Sequence, residues 1–277
     1  MTAKKSSKEI AFLQDLFVAT DWGERFAELI DEHVTLPEKG RTLYLAAGSG
    51  GHAIALQERA REGLKFLCVD ENEECLELAR AKAVATKDTA EFQQGTLDAL
   101  SLEDDQFDLV LGDGSLVAPE RVPAMLSEMI RVARPGAMVA LSLPTASSFG
   151  EFFSIYWEAL HDSRVNDHER DVEGLIAKLP TISEVEDIAV VEGLEDVTSF
   201  TRIEEFDFES GEEFLNSPLI AEFLLKGWLQ SITEQSKKRV VREIARLINE
   251  ERHDAEFSLS VKATLVTGRK VSLPLAG

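Results

Sequence analysis

Cysteine is scarce: only Cys68 and Cys75 occur in 277 residues. Two thiols cannot build a disulfide framework, and no grouping of His, Cys, Asp and Glu has metal-ligand spacing, so no metal is expected. The start of the chain, Met1-Thr2-Ala3-Lys4-Lys5-Ser6-Ser7-Lys8, lacks the apolar stretch of a signal peptide. Residues 1–9 are therefore expected to be a solvated tail, and the protein cytoplasmic. No apolar run approaches the roughly 18 uncharged residues of a membrane span. Basic residues are few as well, 29 Lys and Arg against 51 Asp and Glu, a net charge of −22. A field of that sign repels nucleic acid and anionic membranes, so neither is an expected partner. There is no Gly-x-Ser-x-Gly nucleophile elbow and no phosphate-binding Gly-Lys-Ser/Thr loop.

What is present is an alternation. Residues 10–39 open with apolar positions spaced for one or two amphipathic helices, including Phe12, Leu16, Trp22, Phe26 and Ile30, and close in a turn at Pro37 to Gly40. From there strands are predicted at Thr42–Ala47, Leu64–Val69, Ala90–Gln94, Phe107–Leu111 and Ala137–Leu143, with helices over 51–62, 72–86 and 119–133. Short apolar strands alternating with helices are the signature of a parallel sheet covered on both faces. Residues 42–144 thus predict a doubly wound α/β core. Helices are predicted over 149–160, 171–179 and 183–193, and strands at Val197–Phe208 and Glu256–Thr267. A helical insertion over 211–252 separates those two strands. No linker divides the chain, which is expected to be a single domain, with residues 145–195 a helical cover.

The first strand ends in Ala46-Ala47-Gly48-Ser49-Gly50-Gly51-His52-Ala53. Glycines there let a backbone pass close to a ligand, and the ligand crevice of an open α/β sheet lies at that strand end. Asp70 closes the second strand, 20 residues after Gly50, where a carboxylate can take two ribose hydroxyls. The turn satisfies the G-x-G-x-x-G/A dinucleotide pattern and equally the turn that holds S-adenosylmethionine. A small turn with an acid, Gly95-Thr96-Leu97-Asp98, follows the third strand, where an adenine amino group could be read.

The strand Phe107-Asp108-Leu109-Val110 and the helix ending in Arg134-Pro135-Gly136, with the strand after it, resemble the class I S-adenosylmethionine-dependent methyltransferases. The similarity is greatest to the small-molecule enzymes of quinone- and biotin-biosynthesis type. It covers residues 40–145, and 183–270 more weakly. It implies a Rossmann-like seven-stranded sheet, mostly parallel, with one antiparallel strand near Glu256–Thr267. It implies S-adenosyl-L-methionine as cofactor, held by Ala46, Ala47, Gly48, Ser49 and Gly50, by Asp70 and Glu71, by Thr96, Leu97 and Asp98, and by Gly112 and Asp113. A dehydrogenase ranks second, having no need of the Phe-Asp strand or the final hairpin.

The family's first motif usually reads Asp-Leu-Gly-Cys-Gly-Thr-Gly, and here Tyr44-Leu45-Ala46-Ala47-Gly48-Ser49-Gly50 stands in its place. A phenol replaces the acid, with Asp113 the candidate to take over its charge. Ala46 replaces a glycine and is tolerated if its backbone stays extended. Candidate general bases are Asp113, His161 and His168. Phe152, Phe153, Tyr156 and Trp157 are either pocket wall or core. Residues 161–215 carry 17 acidic and 4 basic residues, which favours a neutral or cationic small-molecule acceptor. Two alternatives stay open: a non-catalytic relative with weakened cofactor binding, and a homodimer through the helices after residue 210.

Overall fold

The computed structural model describes residues 5–165, 169–250 and 256–272. The chain opens with α1 (Ser7–Leu13), a π-helical stretch over Gln14–Gly23, and α2 (Glu24–His33). α1 starts at Ser7 because Ser6 and Glu9 form a capping box, each side chain bonding the other's backbone N–H. Residues 7–9, expected to belong to a solvated tail, are helical instead. The alternating core follows: β1 (Lys39–Leu45), α3 (Gly51–Arg59), β2 (Gly63–Asp70), α4 (Glu73–Thr86), β3 (Glu91–Gln94), β4 (Phe107–Asp113), α5 (Val122–Val132) and β5 (Ala133–Pro144). Asn72 caps α4 by accepting the N–H groups of Glu74 and Cys75. The rest comprises α6 (Gly150–Asp162), α7 (Glu169–Lys178), α8 (Ile182–Val191), β6 (Leu194–Phe208), α9 (Gly211–Asn216), α10 (Leu225–Trp228), α11 (Glu234–Glu250) and β7 (Phe257–Lys270).

The strands form one seven-stranded sheet in the order β3-β2-β1-β4-β5-β7-β6. The first five are mutually parallel. β6 and β7 run in opposite directions: Val271 N–H donates to the Gly193 carbonyl at one end, and Ser258 donates to Asp207 near the other. The chain steps outward from β1 to β3 and then returns to β4 on the opposite side of β1. That reversal makes the carboxyl ends of β1 and β4 the crevice of the sheet. β5 begins at Ala133, earlier than the predicted Ala137. Proline at 135 bars the α conformation for Arg134, so the chain turns extended directly after α5.

The described chain divides into two compact units, one of residues 5–143, 182–201 and 264–272, the other of 144–165, 169–181, 202–250 and 256–263. In the first, Leu43, Leu45, Val69, Val110 and Leu141 share a core cluster with Met125, Leu126 and Met129 of α5 and Val185 and Ala189 of α8. The period-two alternation of β1 sends Tyr44 to the opposite face of the sheet. In the second, Phe152 stacks on Trp228 at 4.1 Å between ring centres and meets Phe153, Tyr156 and Phe214. Phe152, Phe153 and Tyr156 are buried, and are core. Trp157 is 48% exposed, and His161 stacks on it.

Candidate functional site

β1 ends in a turn that uses the left-handed region three times, at Ala46 (φ 55°), Gly48 (φ 54°) and Gly50 (φ 75°). Gly50 is required twice over, since a Cβ there would lie 2.7 Å from the Phe92 ring and 2.8 Å from Ala79 Cβ. Ala46 does not keep the extended backbone on which its tolerance was argued. A side chain sits here where the family pattern has glycine, at a cost in strain.

Asp70 fastens this turn. One carboxylate oxygen accepts Gly48 N–H at 2.8 Å and the other accepts Asn72 N–H at 2.8 Å. The carboxylate retains lone-pair capacity for a further donor. Burial raises the Asp70 pKa, although those two N–H groups pull it back. The N-terminal helical segment adds contacts from outside the core. Ser49 Oγ donates to Asp15 Oδ1 at 2.5 Å, Lys82 pairs with the same carboxylate, and Cys75 Sγ lies 3.3 Å from Gln14 Oε1.

The strand register lines up a second set. Tyr44 lies beside Cys68 on β2 and Leu111 on β4. Two residues on, Asp70 and Asp113 project from the same face of their strands. An acid, a phenol and an acid therefore stand on three adjacent strands at the crevice. Burial pushes up the Asp113 pKa, moderated by hydrogen bonds from Ser115 and by the nearby His52. Burial, and then the Asp113 charge, pushes the Tyr44 pKa well above that of an ordinary phenol. Tyr44 Oη is 2.8 Å from His52 Nδ1, and His52 Nε2 is 3.0 Å from Asp31 Oδ1. Arg59 donates to the same Asp31 oxygen at 2.6 Å. Partial burial opposes ionisation of Asp31, but the His52 and Arg59 bonds prevail and hold its pKa at about 2.

The remaining predicted residues are placed differently. Glu71 and Asp98 are both gripped by Arg121, whose guanidinium makes two bonds of 2.6 and 2.9 Å to Glu71 and two of 2.9 Å to Asp98. Leu97 is buried and its N–H points to Glu71 Oε1 at 3.4 Å, whereas Thr96 is exposed. Gly112 has a packing reason: a Cβ there would lie 2.8 Å from the Met129 thioether. His161 is exposed at the end of α6, in the second unit. His168 lies outside the described residues.

Sequence reasoning missed Asp15, Asp31, His52 and Arg121. His52 carried a signal, since it occupies the first turn of the helix that the glycine turn opens. Asp31 and Arg121 carried none, because only the fold brings residues so distant in the chain together. Among the described residues no group of acids, His and Cys could hold a metal ion, and no helix is long and apolar enough to cross a membrane.

Residues 43–136 match the family model of a methyltransferase domain. A demethylmenaquinone methyltransferase of Lactococcus lactis is 33% identical over 121 residues, which are 42% of this chain and 48% of that protein. The chain spans 39% to 52% of the length of the curated relatives it matches. A putative methyltransferase from an antibiotic biosynthesis pathway of Anabaena variabilis superimposes with a TM-score of 0.60 at 16% identity, over 88% of this chain and 96% of that one. Phosphoethanolamine N-methyltransferase 2 of Haemonchus contortus, solved with phosphomonomethylethanolamine and S-adenosylhomocysteine, gives 0.56 at 16% identity, over 98% of this chain and 59% of that one. At such identities these two structures establish a shared fold. The sequence match runs from β1 to the Arg134-Pro135-Gly136 stretch, through the residues that build the crevice, and over that stretch the chain is similar to methyltransferase domains.

Proposed function

We propose that the protein transfers a methyl group from S-adenosylmethionine to a small organic acceptor. The observation that carries this reading is the crevice itself: a glycine turn locked by Asp70 at the reversal of strand order, with the partly buried carboxyls of Asp70 and Asp113 on either side of Tyr44. That arrangement fits the cofactor, whose sulfonium and ammonium groups are cationic, and the backbone at Gly48 and Gly50 leaves room for a ligand to approach closely. When bound, the cofactor supplies a methyl group already attached to its leaving group, so the chain has mainly to position and to exclude water.

Asp70 would hold the ribose through its spare lone pairs, with Ala46 to Gly50 passing under the ligand. Glu71, Thr96, Leu97 and Asp98 would border the adenine, and Gly112 and Asp113 the reacting end. Asp113, whose pKa burial raises, suits a proton acceptor for an acceptor oxygen or carbon. His161 is assigned no step. The acidic excess of residues 161–215 supports an acceptor that is neutral or cationic.

A second reading, a methyltransferase-like binding protein without activity, is favoured by Tyr44 in place of an acid and by the strained Ala46. Calorimetry of the intact chain with S-adenosylmethionine and S-adenosylhomocysteine separates the two. Micromolar binding that falls by about tenfold or more in Asp70→Asn is expected, since hydrogen bonds to a charged acceptor are lost. No binding of either compound by the parent protein would refute the proposal.

A further inference from the structure

The chain Asp31–His52–Tyr44 is a continuous string of hydrogen bonds in which the roles of the two His52 nitrogens follow from its tautomer. Asp31, held ionised, can only accept hydrogen bonds. His52 Nε2 must therefore carry the proton that bridges the 3.0 Å to Asp31 Oδ1. In the neutral imidazole that leaves Nδ1 bare, an acceptor. Tyr44, 2.8 Å away and kept neutral by burial, must then be the donor. With its one proton committed to His52, the phenol oxygen has only lone pairs to offer in any other direction. Asp70 and Asp113 stand on the same sheet face, one strand to each side.

We infer that Asp31 and His52 are positioning residues that lock Tyr44 as a hydrogen-bond acceptor for a cationic group, specifically the ammonium of the cofactor's amino-acid end. This rests on the cofactor reading above. An unlocked phenol could turn its O–H towards the ligand and would then repel a cation. A locked one cannot, and it adds an acceptor to the field of two carboxyls without introducing a third buried charge, which would be costly to desolvate. The Asp31 end of the string comes from α2, so the helical segment ahead of β1 takes part in ligand recognition although it lies outside the matched residues 43–136.

The inference predicts a difference between two ligands. S-adenosylhomocysteine has the ammonium, and 5′-methylthioadenosine has the adenosine and sulfur but no amino-acid end. Tyr44→Phe should lose about tenfold or more in affinity for S-adenosylhomocysteine and keep its affinity for methylthioadenosine within about twofold. Asp31→Asn should do the same by another route. Arg59 would claim the amide oxygen, the amide N–H₂ would face Nε2, and the imidazole would shift to its other tautomer, with Nδ1–H donating to Tyr44.

Equal losses for both ligands, or none for either, would overturn the inference, the first by marking a merely structural role. Nitrogen NMR of the His52 ring reads the device without any ligand. A bare Nδ1 is expected in the parent protein and a protonated one in Asp31→Asn, and a protonated Nδ1 in the parent overturns the inference. If the parent shows the bare Nδ1 yet binds neither compound, the cofactor reading fails and the assignment of an ammonium to Tyr44 fails with it, while the hydrogen-bond string stands. If the parent binds both compounds and the variants do not discriminate between them, only the assignment to Tyr44 fails.

Discussion

At the scale of single residues, the glycine turn holds two positions of positive φ and opposite chemistry. Ala46 and Gly50 both have positive φ, at 55° and 75°. An L-residue in that region costs roughly 1–2 kcal/mol, against roughly 0.4–1 kcal/mol that a glycine costs through the freedom of the unfolded chain. Ala46→Gly should therefore stabilise the protein by up to about 1 kcal/mol. Urea unfolding would show it as a higher midpoint with an unchanged slope. Gly50→Ala should do the reverse, losing about 2 kcal/mol or more, because strain is joined by overpacking against Phe92 and Ala79. A midpoint for Ala46→Gly at or below that of the parent would show that the Ala46 methyl makes contacts worth more than the strain it causes.

Between elements, the loop after β3 and the loop after β4 are joined through Arg121, at the end of the short Pro119–Arg121 turn that leads into α5. Single exposed ion pairs contribute little, but a guanidinium bonded to two carboxylates also holds like charges side by side. Arg121→Gln should cost about 1 kcal/mol of stability and leave Glu71 and Asp98 repelling each other. Amide hydrogen exchange at Leu97 and Asp98 should accelerate, since Leu97 N–H donates to Glu71. Unchanged exchange at both amides would mean that backbone packing alone orders this loop. The elements themselves were legible in the sequence, because apolar spacing and the stops at Gly51, Asn72 and Pro135 record local preferences. The end strand was legible from its periodicity, its antiparallel course only from the family resemblance, and the glycine turn with Asp70 from a fixed spacing along one βαβ unit. The clamp on Glu71 and Asp98 was not. Arg121 is an ordinary helix-entry arginine until the strand order 2-1-4 brings it across, and an acid expected to meet a ligand is equally able to meet a guanidinium. The same holds for Phe152 and Tyr156, whose helical spacing marks a buried face without saying what it is buried against.

For the whole molecule, the dominant electrostatic fact is a net charge of −22. Pairs such as Arg59–Asp31, Arg134–Asp108 and Lys270–Asp105 absorb part of the acidic excess, but 51 acids cannot be matched by 29 bases. Self-repulsion of the unmatched charge opposes the compact state and acts over the Debye length, which shrinks from roughly 20 Å at about 20 mM salt to about 8 Å at 0.15 M. Screening also weakens the ion pairs, so the sign of the salt effect reports which contribution is larger. With unlike charges paired at contact distance and like charges spread over longer separations, salt removes more repulsion than attraction. Raising sodium chloride from about 20 to about 200 mM at neutral pH should therefore stabilise the protein by about 1 kcal/mol, seen as a rise of roughly 2–4 °C in the thermal midpoint. Choline chloride should act alike, because screening depends on ionic strength and not on a cation that fits a site. A falling midpoint would show that the ion pairs outweigh the repulsion. A rise with sodium that choline does not reproduce would point to specific cation binding among the acids.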